Sequence, residues 1–192
     1  MSRFSITLQS AALMLAVVLI VAPVGAVATG RADFAEAVVV GDQTLTLMGS
    51  GVLRYRRLIK VYTGALYTVP GLAPEAVLAN TPKRLEVVYL RAFKGADFGP
   101  ATYSGLAKNI SAAEIERLRP RIEQHNRLYV DVAPGDRYAL TYLPGVGTEL
   151  ALNGQPRGVV EGADFAAALF SMWLGQRPFD EPFKRALLGL ER

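Results

Sequence analysis

Arg54 is the residue around which chemistry would be built. It lies in the run GSGVLRYRRLIKVYTGALY, from Gly49 to Tyr67, which otherwise reads as a strand made for burial. An unpaired charge in a low-dielectric interior costs several kcal/mol, so a buried Arg54 requires a carboxylate, a phenolate or a set of acceptors. Asp136, Asp164 and the glutamates are the internal candidates. An anionic ligand is the external one.

Other signatures of chemistry are missing from the sequence. There is no GxSxG elbow, no phosphate loop, no dinucleotide fingerprint and no HExxH pair. Gly49-Ser50-Gly51 is too short to cradle a phosphate, and Pro144-Gly145-Val146-Gly147 leads into a strand instead of a helix N-terminus. Glu75, Glu86, Glu114 and Glu116 show no spacing that pairs carboxylates for acid–base work. The lone His125, at the end of a charged helix, is expected at the surface. No second histidine and no cysteine accompanies it, so neither a metal nor a cofactor is expected.

The elements that must position Arg54 follow a leader. Arg3, the apolar run Ala11–Ala22 and the A-x-A site Ala26-Val27-Ala28 read as a signal peptide cut after Ala28. Residues 1–28 are therefore assigned to the leader and 29–192 to one domain. The expected location is outside the cytoplasm, in a bacterial periplasm, with no membrane span after cleavage. The apolar run stops at Pro23, short of the roughly 20 residues a spanning helix needs. Of the 21 basic residues only Arg3 is in the leader, which leaves 20 against 17 acids and a net charge of +3. Both signs are spread along the chain, which argues against nucleic acid as a partner.

Along the mature chain, Thr29–Glu36 reads as a loose leader. Ala37–Val40 and Gln43–Leu47 read as a hairpin turned at Gly41-Asp42. Val52–Val69 reads as one long strand with a bend or bulge near Arg56-Arg57 or Gly64. Arg54 and Tyr62 share its parity but lie roughly 26 Å apart at ~3.3 Å per residue, if the strand is straight. A short helix is expected over 74–79 and a strand over 84–91. A helix from near Asp97 to Asn109 precedes another opened by a Ser111/Glu114 capping box, with Pro120 inside it. Residues 128–132, 137–143, 148–152 and 158–160 read as a meander. Asp164 is expected to cap an apolar helix over 165–174, and a last helix spans about 181–190. Strands on both sides of a helical pair predict an α+β domain with helices on one face of an antiparallel sheet.

The run Gly49–Tyr67, the helix ending Leu106-Ala107-Lys108-Asn109, the turn and strand Gly135–Tyr142, and the closing Met172-Trp173-Leu174-Gly175-Gln176-Arg177-Pro178 resemble, in order and spacing, the chalcone isomerase-like proteins of bacteria. The resemblance implies an open-faced β-sandwich: a large antiparallel sheet, a helix layer and a cleft between them for a flat or elongated apolar ligand. In the enzymes of this family an arginine and an asparagine hold the substrate's oxygens, and a tyrosine and a threonine polarise its ketone. Arg54 and Asn109 match the first two positions. The threonine position falls on Tyr62, the tyrosine position on Thr102, and a ring-contacting hydroxyl position on Met172. Tyr103 does not replace the tyrosine, since neighbouring helical side chains point about 100° apart.

The resemblance leaves three functional classes open. The pattern suits a non-catalytic binder of a fatty acid or a similar small amphiphilic carboxylate. Arg54 and Asn109 would hold the headgroup, with Tyr62, Tyr103, Met172, Trp173, Phe165 and Phe170 about the ligand. The alternatives are an isomerase or intramolecular lyase acting on an enone-like, chalcone-type substrate, and a structural or partner-binding envelope protein. An internal ion pair for Arg54 and a helix-ending role for Asn109 are the bland readings of the two matched residues.

Overall fold

The computed structural model describes residues 33–190 except Arg57. The expected signal peptide lies outside these residues. Seven strands, β1 (Ala37–Val40), β2 (Gln43–Tyr55), β3 (Ile59–Thr68), β4 (Lys83–Tyr89), β5 (Arg137–Leu143), β6 (Gly147–Leu152) and β7 (Gln155–Val160), form one antiparallel sheet in chain order. The helices are α1 (Gly95–Leu106), α2 (Ala112–Asn126), α3 (Ala163–Leu174) and α4 (Glu181–Leu187), with a short 3₁₀ turn at Pro74–Ala76. Strand alternation sorts the side chains. Leu53, Tyr62, Leu66, Leu85, Val87, Tyr89, Tyr138 and Leu140 point to the helix side and join Leu106, Leu118, Phe165, Leu169 and Phe183 in the main core. Val40, Leu45, Ala65 and Tyr67 form a smaller cluster on the other face. The α+β, open-faced arrangement is the one the sequence predicts.

The expected long strand over 52–69 is two strands. β2 and β3 pair as a hairpin, with Leu53 opposite Tyr62 and Arg54 opposite Lys60 across a register shift. Its turn uses neither glycine nor asparagine. Arg56 takes a left-handed backbone (φ 49) that favours those residues, so the expected bend near Arg56-Arg57 is a full chain reversal that composition does not signal. The eight-residue separation of Arg54 from Tyr62 therefore folds back on itself, and the 26 Å estimate does not apply.

Smaller corrections follow the same lines. Residues 128–132 are not a strand but make one bridge, Val132 with Phe93. Gly162, not Asp164, occupies the N-cap of α3. The Asp164 carboxylate instead accepts hydrogen bonds from Arg117, Arg121 and the Phe165 N–H. The Ser111/Glu114 capping box forms as expected, and α2 continues through Pro120 to Asn126.

The seat of α4 fixes the hairpin. A Cβ on Gly49 would lie 2.2 Å from the Ala186 carbonyl oxygen, one on Gly51 2.5 Å from the Ala186 methyl, and one on Gly64 2.6 Å from the Phe183 ring. Strand glycine here is the condition for close backbone approach. Asp180 anchors the helix by accepting from the Phe183 N–H at 2.8 Å. Gly51→Val and Gly64→Val each insert a branched side chain into this contact and are expected to cost about 2–3 kcal/mol. Urea denaturation measures it; an unchanged midpoint in both variants would show that α4 does not depend on the glycine floor.

Candidate functional site

Between the β2–β3 tip, β4, α1 and the end of α3 lies a cavity of about 740 Å³. Its floor is aromatic and aliphatic: Leu53 and Val61 from the hairpin, Tyr62 and Tyr89 from the sheet, Phe98 from α1 and Met172 from α3. The aromatic rings meet edge to face, Tyr62 on Tyr89 and Tyr89 on Phe93 with centroids 5.6 Å apart in each pair, while Phe98 stacks on Tyr129 at 4.5 Å. Such packing holds large side chains in fixed orientations.

Two pinned loops make the walls. On one side Phe93 and Val132 exchange backbone hydrogen bonds of 3.0 and 2.9 Å, and the Asp131 carboxylate accepts from the Gly95 N–H and Lys94. Tyr138 holds the same loop, its hydroxyl accepting from Val130 N–H and donating to Val130 carbonyl. On the other side the Asn109 amide donates to the Arg177 carbonyl at 3.0 Å and accepts from the Arg177 N–H at 2.9 Å. That clamp, with a hydrogen bond from Phe179 N–H to the Met172 carbonyl, sets the Phe179 ring in the wall.

The residues singled out from the sequence divide between these places. Arg54, Tyr62, Thr102, Met172 and Trp173 line the cavity. Arg54 is exposed at its mouth, not buried in a strand, and no carboxylate pairs with it among the described residues. The internal partners weighed for it are engaged elsewhere: Asp164 with Arg117 and Arg121, Asp136 with Asn153 and the Ala133 N–H, Glu86 with Arg84 and Arg137. Asn109 does not line the cavity and does not share it with Arg54; it is a clamp on the Arg177 segment. Tyr103 is half-buried against the core beside the cavity, and Phe165 and Phe170 are fully buried core residues, so none of the three lines it.

Three basic residues escaped the sequence reading. Arg56, Arg91 and Lys108 join Arg54 at the mouth, against a single acid, Asp97. Asp97 is occupied by accepting from the Lys94 N–H at 3.1 Å. Phe98, Ala101, Thr102 and Lys108 recur at helical spacing on and just beyond α1, a stripe that carried the signal. Arg56 and Arg91 could be placed only once the hairpin was known.

The hydroxyls inside are constrained. The Trp173 indole N–H donates to the Tyr62 hydroxyl at 2.7 Å, and the Thr102 hydroxyl donates to the Phe98 carbonyl at 2.9 Å. Burial pushes the Tyr62 and Tyr129 phenols well up from the ordinary tyrosine value, so both stay protonated across the physiological range. The described residues contain no cluster of histidine, cysteine and carboxylate ligands suited to a metal ion.

A family model described as chalcone isomerase-like matches residues 26–189. Among solved structures the fold is similar to the crystal structure of a fatty-acid binding protein from Arabidopsis thaliana. The TM-score is 0.58 and the identity 16%, with 80% of this chain and 96% of that one covered. No curated protein matches the chain by sequence.

Behind the Tyr129 wall, His125 is fully buried, which corrects its expected surface position. Its Nε2 meets the Tyr129 hydroxyl at 3.1 Å, its ring packs on Phe165 at 5.7 Å, and its Nδ1 has no partner among the described residues. Burial lowers its pKa to about 4. The unfolded chain takes up this proton near pH 6.5 and the folded one only near 4. Stability from the neutral imidazole is therefore full above about pH 6.5 and falls by about 1.4 kcal/mol per pH unit below it, roughly 3 kcal/mol in all. Urea denaturation between about pH 7 and pH 4 is expected to show this loss in the wild type and a shallower one in His125→Gln. Parallel slopes in the two proteins would mean that the folded state accommodates the imidazolium.

Proposed function

The chain belongs to the chalcone isomerase-like family, and from its cavity we propose that it is an exported, non-catalytic binder of a small amphiphilic carboxylate such as a fatty acid. One observation carries this reading: an apolar, aromatic chamber of about 740 Å³ whose charged lining is four basic side chains against one acid, Asp97. The volume lies within the ~300–1,000 Å³ typical of small-molecule sites. An acyl chain satisfies the floor, and its carboxylate meets Arg54, whose planar guanidinium can donate two parallel hydrogen bonds to it. The neighbour from Arabidopsis, a fatty-acid binding protein by its description, is consistent with this assignment.

The hydroxyls favour binding over isomerisation. Thr102 stands where the enzymes of the family carry a tyrosine, and its proton is committed to the Phe98 carbonyl. Of the three positions that differ from the enzymes, Tyr62, Thr102 and Met172, only Tyr62 keeps a hydroxyl proton without an acceptor among the described residues, since it accepts from Trp173. Neutral phenols such as Tyr62 and Tyr89, both kept protonated by burial, polarise a ketone weakly and supply no base.

Native mass spectrometry after incubation with palmitate is expected to show one bound fatty acid. Arg54→Ala should weaken binding about tenfold, the worth of one exposed charge-assisted contact. Ala101→Trp, which places an indole in the chamber from the α1 wall, should abolish it. An empty wild-type protein would sink the reading, as would turnover of a chalcone faster than the solution reaction. Export is tested separately: N-terminal sequencing of the protein from the extracytoplasmic fraction should begin at Thr29.

A further inference from the structure

We propose that the β2–β3 tip is a docking surface for an anionic phospholipid bilayer, seating the cavity mouth against the membrane. At this tip Leu58 is 86% exposed, Tyr55 55% and Ile59 42%, three large apolar side chains within five residues. Isolated exposed apolar residues are ordinary, whereas a contiguous group on a projecting turn marks a contact surface. Around the group stand Arg54, Arg56, Lys60 and Arg91, all exposed and none paired with a carboxylate among the described residues. The Arg56 guanidinium lies over the Tyr55 ring at 5.3 Å, and Arg91 Nε donates to the Lys60 carbonyl at 3.1 Å, so the basic collar is held close to the apolar tip.

An apolar point ringed by cations matches the layering of an anionic bilayer surface. Leu58 and Ile59 enter the headgroup–acyl boundary, Tyr55 sits at the interface and the collar meets phosphates. The surface is also continuous with the chamber, since Arg54, Tyr55, Arg56 and Ile59 line its mouth. The docked geometry would let an amphiphile pass from lipid to cavity without crossing water. That route rests on the ligand reading above; the docking itself does not. Val146, exposed at 55% in the β5–β6 turn at the opposite end of the sheet, has no charged neighbour between Leu143 and Thr148 and serves as a control.

The test is co-sedimentation of the purified protein with phosphatidylcholine vesicles that contain or lack phosphatidylglycerol. Wild-type protein should pellet with the anionic vesicles, remain free with phosphatidylcholine alone, and be released by high salt. Leu58→Asp should lower partitioning about tenfold. Arg56→Asn, a residue that tolerates the left-handed backbone there, should lower it about fivefold, and Val146→Asp should leave it unchanged. Wild-type protein that stays in the supernatant, partitioning indifferent to Leu58→Asp, or an equal loss in Val146→Asp overturns the proposal. Palmitate binding measured in parallel separates the two readings: a protein that binds palmitate but no vesicles defeats the docking surface alone. One that pellets through Leu58 yet binds no palmitate defeats the ligand reading alone.

Discussion

The contact between α4 and the bare backbone of the β2–β3 hairpin is the constraint on which the site depends. Gly49, Gly51 and Gly64 let a two-turn helix sit where ordinary strand residues would hold it several ångströms away. From that seat Phe183 reaches the Tyr62 ring, with centroids 5.6 Å apart, and Tyr62 receives the Trp173 indole N–H. The hairpin, α3 and α4 are thus tied at one point on the cavity floor. Beyond that point the hairpin continues past the helices, and this overhang is what forms a mouth.

Charge is distributed by how completely each site can satisfy it. On the sheet face away from the helices Glu86 is buried and held by Arg84 and Arg137, a pair of partners that makes its ionised form tolerable. Lys83 is buried and pairs with no carboxylate among the described residues; burial lowers its pKa to about 8, and its ammonium donates to the Ala79 and Thr81 carbonyls. The mouth differs from both. Its cations keep their solvent and pair with no carboxylate among the described residues, an arrangement that costs little in the free protein and leaves their hydrogen-bonding capacity for an incoming anion. Any partner that contacts the mouth must therefore bring negative charge or displace the solvation of several cations.

How much was legible depended on whether a residue's role is local. The Ser111/Glu114 box, the Gly41-Asp42 turn and the alternation of β4 to β6 are set by neighbours in sequence, and all three form as read. At the β2–β3 turn the sequence offered a bend near Arg56-Arg57 but not a reversal of the chain, because the left-handed position falls on an arginine instead of a glycine or asparagine. That one omission also inverted the environment of Arg54, from a buried strand to an exposed rim. His125 was misplaced because α2 is polar by composition. The ring occupies its narrow inward stripe with Leu118 and Ile122, and a single polar residue on such a stripe looks like one more member of the charged face. Asn109 matched a family position, yet its amide is engaged 68 residues away with Arg177, a long-range pairing that spacing along the chain does not reveal.

A shared fold fixes where a cavity can form, while its chemistry depends on a few side chains. Here the cavity combines an arginine at its mouth with inner hydroxyls that already have protein partners. Thr102 turns its hydroxyl proton back to its own helix, and Met172 presents a flexible thioether to the cavity. With Phe98 and Ala101 they make this wall largely apolar. Gly105 accommodates the result, since a Cβ there would lie 2.8 Å from the Met172 sulfur and 2.6 Å from the Phe179 ring. The α1–α3 interface is therefore packed around the methionine, and a shorter side chain at position 172 would leave a void in that contact. A change at position 172 must therefore be matched across α1 and α3, which makes the shape of this cavity wall a property of the helix layer and not of one side chain.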